Sequence, residues 1–214
     1  MSLTIASLTK SRKFAYHVCS EVNFEAIRAS LTLQSACELL QNTQFQHLLL
    51  GKRLTTQNIN INGRVIQVRD HKPLVEANIE LIDSCTFNDF IQELNSRVFL
   101  WAGTELGPCK SGRNHIRKYQ NKGSVYILRI PTTKLLETNG VERFKVTFCN
   151  SGSARQNNGQ KARRGHSTFL RLEQSTQPPG KVVELTFQSF VKLPPKTEYA
   201  EALVGPWSTL KADT

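Results

Sequence analysis

The chain has no long hydrophobic run. None of its stretches approaches the roughly 20 consecutive apolar residues a membrane-spanning helix needs. Met1 to Lys13 scatters single apolar residues among Ser and Thr and lacks the apolar centre of a secretion signal. A cytoplasmic protein without a membrane partner is therefore expected. Paired cysteines are also missing. Cys19, Cys37, Cys85, Cys109 and Cys149 are odd in number and form no Cys-x-x-Cys. That argues against a disulfide framework and against zinc, so no metal site is expected; the thiols read as reduced and mostly buried. No Gly-x-Gly-x-x-Gly follows a strand pattern and no P-loop is present, which argues against the common dinucleotide and nucleoside-triphosphate folds. No internal repeat is visible.

Acid is absent from two stretches where base is dense. Lys110 to Lys122 holds Lys110, Arg113, Arg117, Lys118 and Lys122, and Arg155 to His166 holds Arg155, Lys161, Arg163, Arg164 and His166, both without a carboxylate. With a net charge of +11, this clustering points to a polyanion, most simply nucleic acid. Arg113, Arg117, Lys118, Arg155, Lys161, Arg163 and Arg164 are the candidate contacts. The competing reading is a solvated, mobile basic loop.

What is present fits a soluble domain: 214 residues, 39% hydrophobic and 21% charged. The expected division is an N-terminal extension over 1–12, a single domain over 13–205 and a C-terminal tail over 206–214. Strands are expected at 14–18, 98–101, 125–130, 144–148, 168–172 and 182–187, with a hairpin over 59–68. Helical spacing covers 23–30, 33–40, 45–50, 73–82 and 88–94, the last capped by Thr86. Residues 112–120 form a basic helix or loop, 132–136 a helical turn, 150–166 a long loop and 199–204 a short final helix. Helices concentrate in the first half and strands in the second, an α+β pattern.

Polar residues inside apolar strands are the candidates for chemistry. His17 follows Tyr16 on a strand, where neighbours point to opposite faces; one should face a cleft and the other the core, unless His17 is a satisfied core histidine. Glu184 lies between Val183 and Leu185, where an ionised carboxylate needs a partner or a cavity, unless the strand is an edge and Glu184 meets solvent. Arg69-Asp70 and Arg97 flank apolar segments; each suits either an internal salt bridge or a pyrophosphate. Asn150-Ser151-Gly152 ends a strand. A glycine there lets the backbone approach a phosphate and makes Asn150 and Ser151 candidate contacts; ordinary turn chemistry is the alternative.

Tyr16-His17-Val18 with Asn23-Phe24-Glu25-Ala26-Ile27 resembles the opening of the DarT-type DNA ADP-ribosyltransferase toxins, although Ala29-Ser30-Leu31 replaces their Gly-Leu turn. Val125 to Ile130 resembles their central strand, and Val183-Glu184-Leu185 before Leu193-Pro194 resembles the segment carrying their catalytic glutamate. Arg69-Asp70-His71-Lys72-Pro73-Leu74, Leu94-Asn95-Ser96-Arg97-Val98-Phe99-Leu100-Trp101, Asn150-Ser151-Gly152 and Arg164-Gly165-His166-Ser167-Thr168-Phe169 are similar to motifs of a bacterial family without an assigned activity, which usually has Arg-Asp-Gln where this chain has Arg69-Asp70-His71. The resemblance implies an ADP-ribosyltransferase-like split β-sandwich that binds NAD, as a substrate, between two sheets. Tyr16 and His17 would lie at the cofactor, with His17 on a ribose hydroxyl. Glu184 would steady the cation that grows as nicotinamide leaves. Arg69 or Arg97 would clamp the pyrophosphate, Arg97 being grouped with the catalytic residues. No tyrosine lies between Tyr16 and Tyr119, so Phe45, Phe99 or Trp101 would have to stack on nicotinamide. The function expected is ADP-ribosylation of nucleic acid of a toxin or defence kind, which implies an antitoxin or immunity partner. The alternatives are a non-enzymatic nucleic-acid-binding domain on a related scaffold, or an RNA phosphotransferase or ribonuclease.

Overall fold

Val, Ile, Leu and aromatic residues recur along 14–20, 97–104, 125–131 and 184–188, and these four segments become the centre of an antiparallel sheet. The computed structural model describes residues 3–212. In chain order the elements are α1 (Ile5–Ser11), β1 (Phe14–Ser20), α2 (Glu21–Ser30), β2 (Thr32–Gln34), α3 (Ala36–Leu40), β3 (Gln57–Ile61), β4 (Arg64–Val68), β5 (Ile79–Leu81), α4 (Phe87–Asn95), β6 (Arg97–Thr104), β7 (Gly107–Pro108), α5 (Lys110–Gln120), β8 (Val125–Pro131), α6 (Thr132–Asn139), β9 (Phe144–Thr147), β10 (Ala162–Arg164), β11 (Glu184–Gln188), β12 (Phe190–Lys192), β13 (Glu198–Ala200) and β14 (Ser208–Thr209). The main sheet runs β14-β13-β8-β1-β6-β11-β9, with β7 folded back on β6. Three two-stranded pieces lie outside it: β3–β4, β2–β12 and the parallel pair β5–β10. The architecture is α+β and mostly antiparallel, with no closed barrel among the described residues.

One face of the sheet packs Ala15, Leu100, Ala102, Leu128, Ile130, Leu185 and Phe187 against Leu8 of α1, Phe24 of α2 and Leu135 of α6. The other packs Tyr16, Trp101 and Ile127 against Ile116 of α5. A separate cluster joins Phe90, Ile91 and Leu94 of α4 to Leu74, Ile79 and Phe169.

The hairpin β3–β4, the cap of α4 and the basic helix α5 form as their sequences suggest. Thr86 and Asp89 make a reciprocal capping box at α4. Several short segments differ. The helix expected over 73–82 is a single turn, Glu76–Asn78, followed by β5; Ile79 and Leu81 alternate with the exposed Glu80, and this period of two aligns them with β10. Over 168–172 there is only one bridge, between Val146 and Leu170. The expected helix at 199–204 is β13, because its backbone completes the open edge of β8. Residues 33–40 divide at Ser35, whose hydroxyl accepts from the Glu38 N–H at 3.1 Å and caps α3. The segment before residue 13 holds α1, whose Leu8 is wholly covered, and the segment after 205 adds β14 to the sheet and buries Leu210.

Candidate functional site

The β1–β6 seam comes apart half-way along. Phe14, Ala15 and Tyr16 pair with Gly103, Ala102 and Trp101, but beyond Tyr16 the strand β1 continues only against β8, and Arg97 to Leu100 continue only against β11. Parting strands leave backbone groups without ladder partners. One is recovered by a side chain: His17 Nδ1 donates to the Phe99 carbonyl at 2.9 Å. A carbonyl only accepts, so Nδ1 carries the proton and Nε2 is left as the acceptor of the neutral ring. Burial pushes the His17 pKa down to about 4, helped by the Arg69 charge and opposed by the Phe99 hydrogen bond.

A cleft of about 760 Å³ opens at this parting, within the usual size of a small-molecule site. Three successive residues of β1, His17, Val18 and Cys19, line it, as only an unpaired strand edge allows. β6 contributes Arg97, Phe99 and Trp101, and β11 contributes Glu184. From α5 come Ser111, Asn114, His115, Lys118 and Tyr119, a polar and aromatic stripe at helical spacing. Gly112 lets that helix close on the sheet; a Cβ there would stand 2.7 Å from Trp101 Cγ. The cleft wall carries seven arginines and lysines, Arg53, Arg64, Arg69, Arg97, Lys118, Arg155 and Arg164, against two acids, Asp70 and Glu184, so its field favours an anion.

Glu184 is 3% exposed. Its carboxyl accepts from the Ser151 N–H at 3.2 and 3.3 Å and lies 2.9 Å from Thr147 Oγ1. Thr147 Oγ1 is also 2.7 Å from the Cys149 carbonyl. One hydroxyl proton cannot serve both. If it goes to the carbonyl, which only accepts, the contact with Glu184 needs a proton from the carboxyl. Burial pushes Glu184 up to about 7, against the opposing pull of Ser151, Thr147 and the Arg164 charge, so around neutrality the carboxyl is divided between its protonated and ionised forms. Ser151 Oγ is buried and makes no hydrogen bond.

The chain belongs to a family of unknown function, DUF7002. The match covers residues 13–194. Every residue lining the cleft falls inside it, while α1, β13 and β14 lie outside. No curated protein and no solved structure matches the chain.

His17, Arg69, Arg97, Asn150, Ser151, Lys118, Arg155, Arg164 and Glu184 all border the DUF7002 cleft. Tyr16 does not. It lies where β1 is still paired with β6, opposite Trp101, and its hydroxyl donates to the Thr104 carbonyl at 2.7 Å while its ring meets Trp207. Arg97 borders the cleft but is already paired, 2.9 Å from Glu93 one helical turn earlier, so its charge is spent on the wall. Arg69 stacks 3.3 Å above the Tyr119 ring, and its Nη1 is buried without a partner. Arg164, read in the sequence as a surface contact for nucleic acid, is 7% exposed; β5 covers it by pairing with β10. Arg113, Arg117, Lys161 and Arg163 are exposed and lie outside the cleft. Arg113 donates to the Pro108 carbonyl, and Arg163 sits 3.6 Å from Glu80. Gly152 is not forced by space: a Cβ there would meet only Asn150 Oδ1, at 3.9 Å. Of the aromatics expected to stand in for a missing tyrosine, Phe99 and Trp101 reach the cleft and Phe45 does not; Tyr119 does.

Sequence reasoning missed Arg53, His115 and Tyr119. Arg53 is buried and donates to the carbonyls of Leu48 and Arg69 and to Asn95 Oδ1, and burial pushes its pKa down to about 10. Nothing in its local sequence marks it. His115 and Tyr119 are four residues apart on α5 and share one face, a spacing that was available to read.

Proposed function

We propose that this protein is an NAD-dependent ADP-ribosyltransferase of toxin or defence kind that modifies nucleic acid in the cytoplasm. On this reading the α+β architecture is an ADP-ribosyltransferase-like split sandwich, whose split is the parting of β1 from β6. The observation that carries the reading is the covered carboxyl of Glu184 and the neutral imidazole of His17 in one basic cleft of ligand size.

The residues supply the parts such a transfer needs. The Nε2 of His17 accepts from a ribose hydroxyl. Arg69, with an unpartnered Nη1, meets the pyrophosphate, and Phe99, Trp101 or Tyr119 offers a ring to the nicotinamide. As the glycosidic C–N bond breaks, its electron pair leaves with nicotinamide and positive charge gathers on the ribose carbon, as in glycoside cleavage. An ionised Glu184 stabilises that charge in a site largely shielded from water and takes the proton released when the acceptor oxygen or nitrogen bonds to the carbon. Because Glu184 must be ionised and rests near 7, activity rises with pH up to that point, about tenfold per unit on the acid side.

The test is incubation with NAD labelled in its ADP-ribose part, together with DNA or RNA. Label should pass to the nucleic acid with the natural protein and fall by a factor of about 10²–10³ with Glu184→Gln. Equal labelling by both proteins, or none by either, defeats the proposal. A second reading, a polyanion-binding module without chemistry, is favoured by the exposed cations Arg113, Arg117, Lys161 and Arg163 outside the cleft. It predicts salt-sensitive nucleic-acid binding with no uptake of NAD in a calorimetric titration.

A further inference from the structure

Arg164 is an anomaly of burial. Among the described residues no carboxylate lies within ion-pair distance of it, and a covered guanidinium without such a partner is costly. Its bonds all go to backbone carbonyls. Nη1 donates to Arg163 at 2.8 Å, and Nη2 donates to Asn150 and to Ser153 at 3.0 Å each, while Nε has no partner. The two Nη2 bonds seize both ends of one turn. That turn carries Ser151, whose N–H points at Glu184. The planar five-donor fork of arginine can hold two carbonyls in a fixed relation, which the ammonium of lysine does less well.

We propose that Arg164 is the positioning residue of the cleft: by gripping the Asn150 and Ser153 carbonyls it fixes the Ser151 N–H against Glu184, which lines the same cleft. The other titratable groups felt at Glu184 are the thiols of Cys109, at the start of α5, and Cys149, at the start of the turn. Burial raises both, Cys149 to about 11, so neither carries charge near neutrality. Arg164 alone therefore favours ionisation of Glu184 by charge. The positioning role bears on activity only through the reading of Glu184 as the transferring carboxylate; its test is made without NAD or nucleic acid.

In free protein labelled with ¹³C at glutamate carboxyls and ¹⁵N at arginine, the natural chain should show one carboxyl titrating near 7 that disappears in Glu184→Gln, with Arg164 Nε moving over the same pH range. In Arg164→Gln that titration should move up by about one unit, and the Ser151 amide should exchange with solvent at least about tenfold faster. Arg164→Lys keeps the charge and loses the fork; it should expose the Ser151 amide with a smaller change in titration. Lys134→Gln, which removes an exposed cation of α6, should alter neither. A folded Arg164→Gln with unchanged titration and unchanged Ser151 exchange overturns the proposal. Should both Arg164 variants fail to fold, the natural protein decides: an Arg164 Nε signal blind to the Glu184 titration overturns it. Absence of ADP-ribosyl transfer with these signatures intact would remove the proposed reaction and leave the positioning role standing.

Discussion

A carboxyl held near 7 binds its proton more tightly in the folded protein than in the unfolded chain, where the reference is 4.5. The stability this contributes is fully present below 4.5 and is lost as pH rises through about 7. Glu184→Gln carries no such proton. Its stability relative to the natural protein should therefore improve between pH 4.5 and 8 by an amount on the order of 3 kcal/mol, read as a growing gap between urea midpoints. A flat difference across that range would show that folding does not raise the Glu184 pKa. A residue that becomes more stabilising when replaced, and sits in the cleft, is of the kind retained for chemistry rather than for folding. The choice of His17 and Glu184 was legible because each is a polar residue inside an apolar strand. The roles of Tyr16, Arg97 and Arg164 were not. Whether Tyr16 borders the cleft depends on where β1 parts from β6, and the burial of two of the arginines depends on a helix turn and on a strand, β5, that the local pattern disguised.

Among the elements, α5 shows how one small residue sets a wall. Its Gly112 faces Trp101, and a Cβ would approach Trp101 Cγ to 2.7 Å and Pro108 Cβ to 2.8 Å. Those atoms lie near the backbone ends of their residues and cannot swing aside. Alanine favours an unconstrained helix over glycine by about 1 kcal/mol, whereas overpacking costs about 1–3 kcal/mol, so Gly112→Ala should be net destabilising. It should also push His115 and Tyr119 outward and weaken any ligand of the cleft; a lower denaturation midpoint with shifted Trp101 fluorescence is the expected result, and a raised midpoint would contradict it. The long elements were readable because their periodicity extends over many residues. β5, β13 and the turns at 166–174 were not, since three-residue segments carry too little pattern and are defined by the strand they lie against.

For the molecule as a whole, the charge of +11 divides between the cleft and the outer surface. Lys118 and Arg155 are exposed cations of the cleft wall, whereas Lys161 and Arg163 lie apart from it. If nucleic acid enters by the cleft, replacing Lys118 and Arg155 together should reduce the slope of log affinity against log salt by about 2, roughly one per phosphate contact. Replacing Lys161 and Arg163 should leave it nearly unchanged. The reverse result would place the polyanion on the outer surface and favour the module without chemistry.

The sequence by itself determined the α+β class, the strongest strands, the basic character and the two polar residues embedded in apolar strands, because hydrophobic period and local charge are properties of neighbouring residues. Only the tertiary structure decided that β1 and β6 part after Tyr16 and Trp101, that residues as distant in the chain as His17 and Glu184 border one cleft, and that Arg164 turns inward to hold the Ser151 turn. Those facts depend on strand register and on burial created by distant segments, which no local pattern encodes.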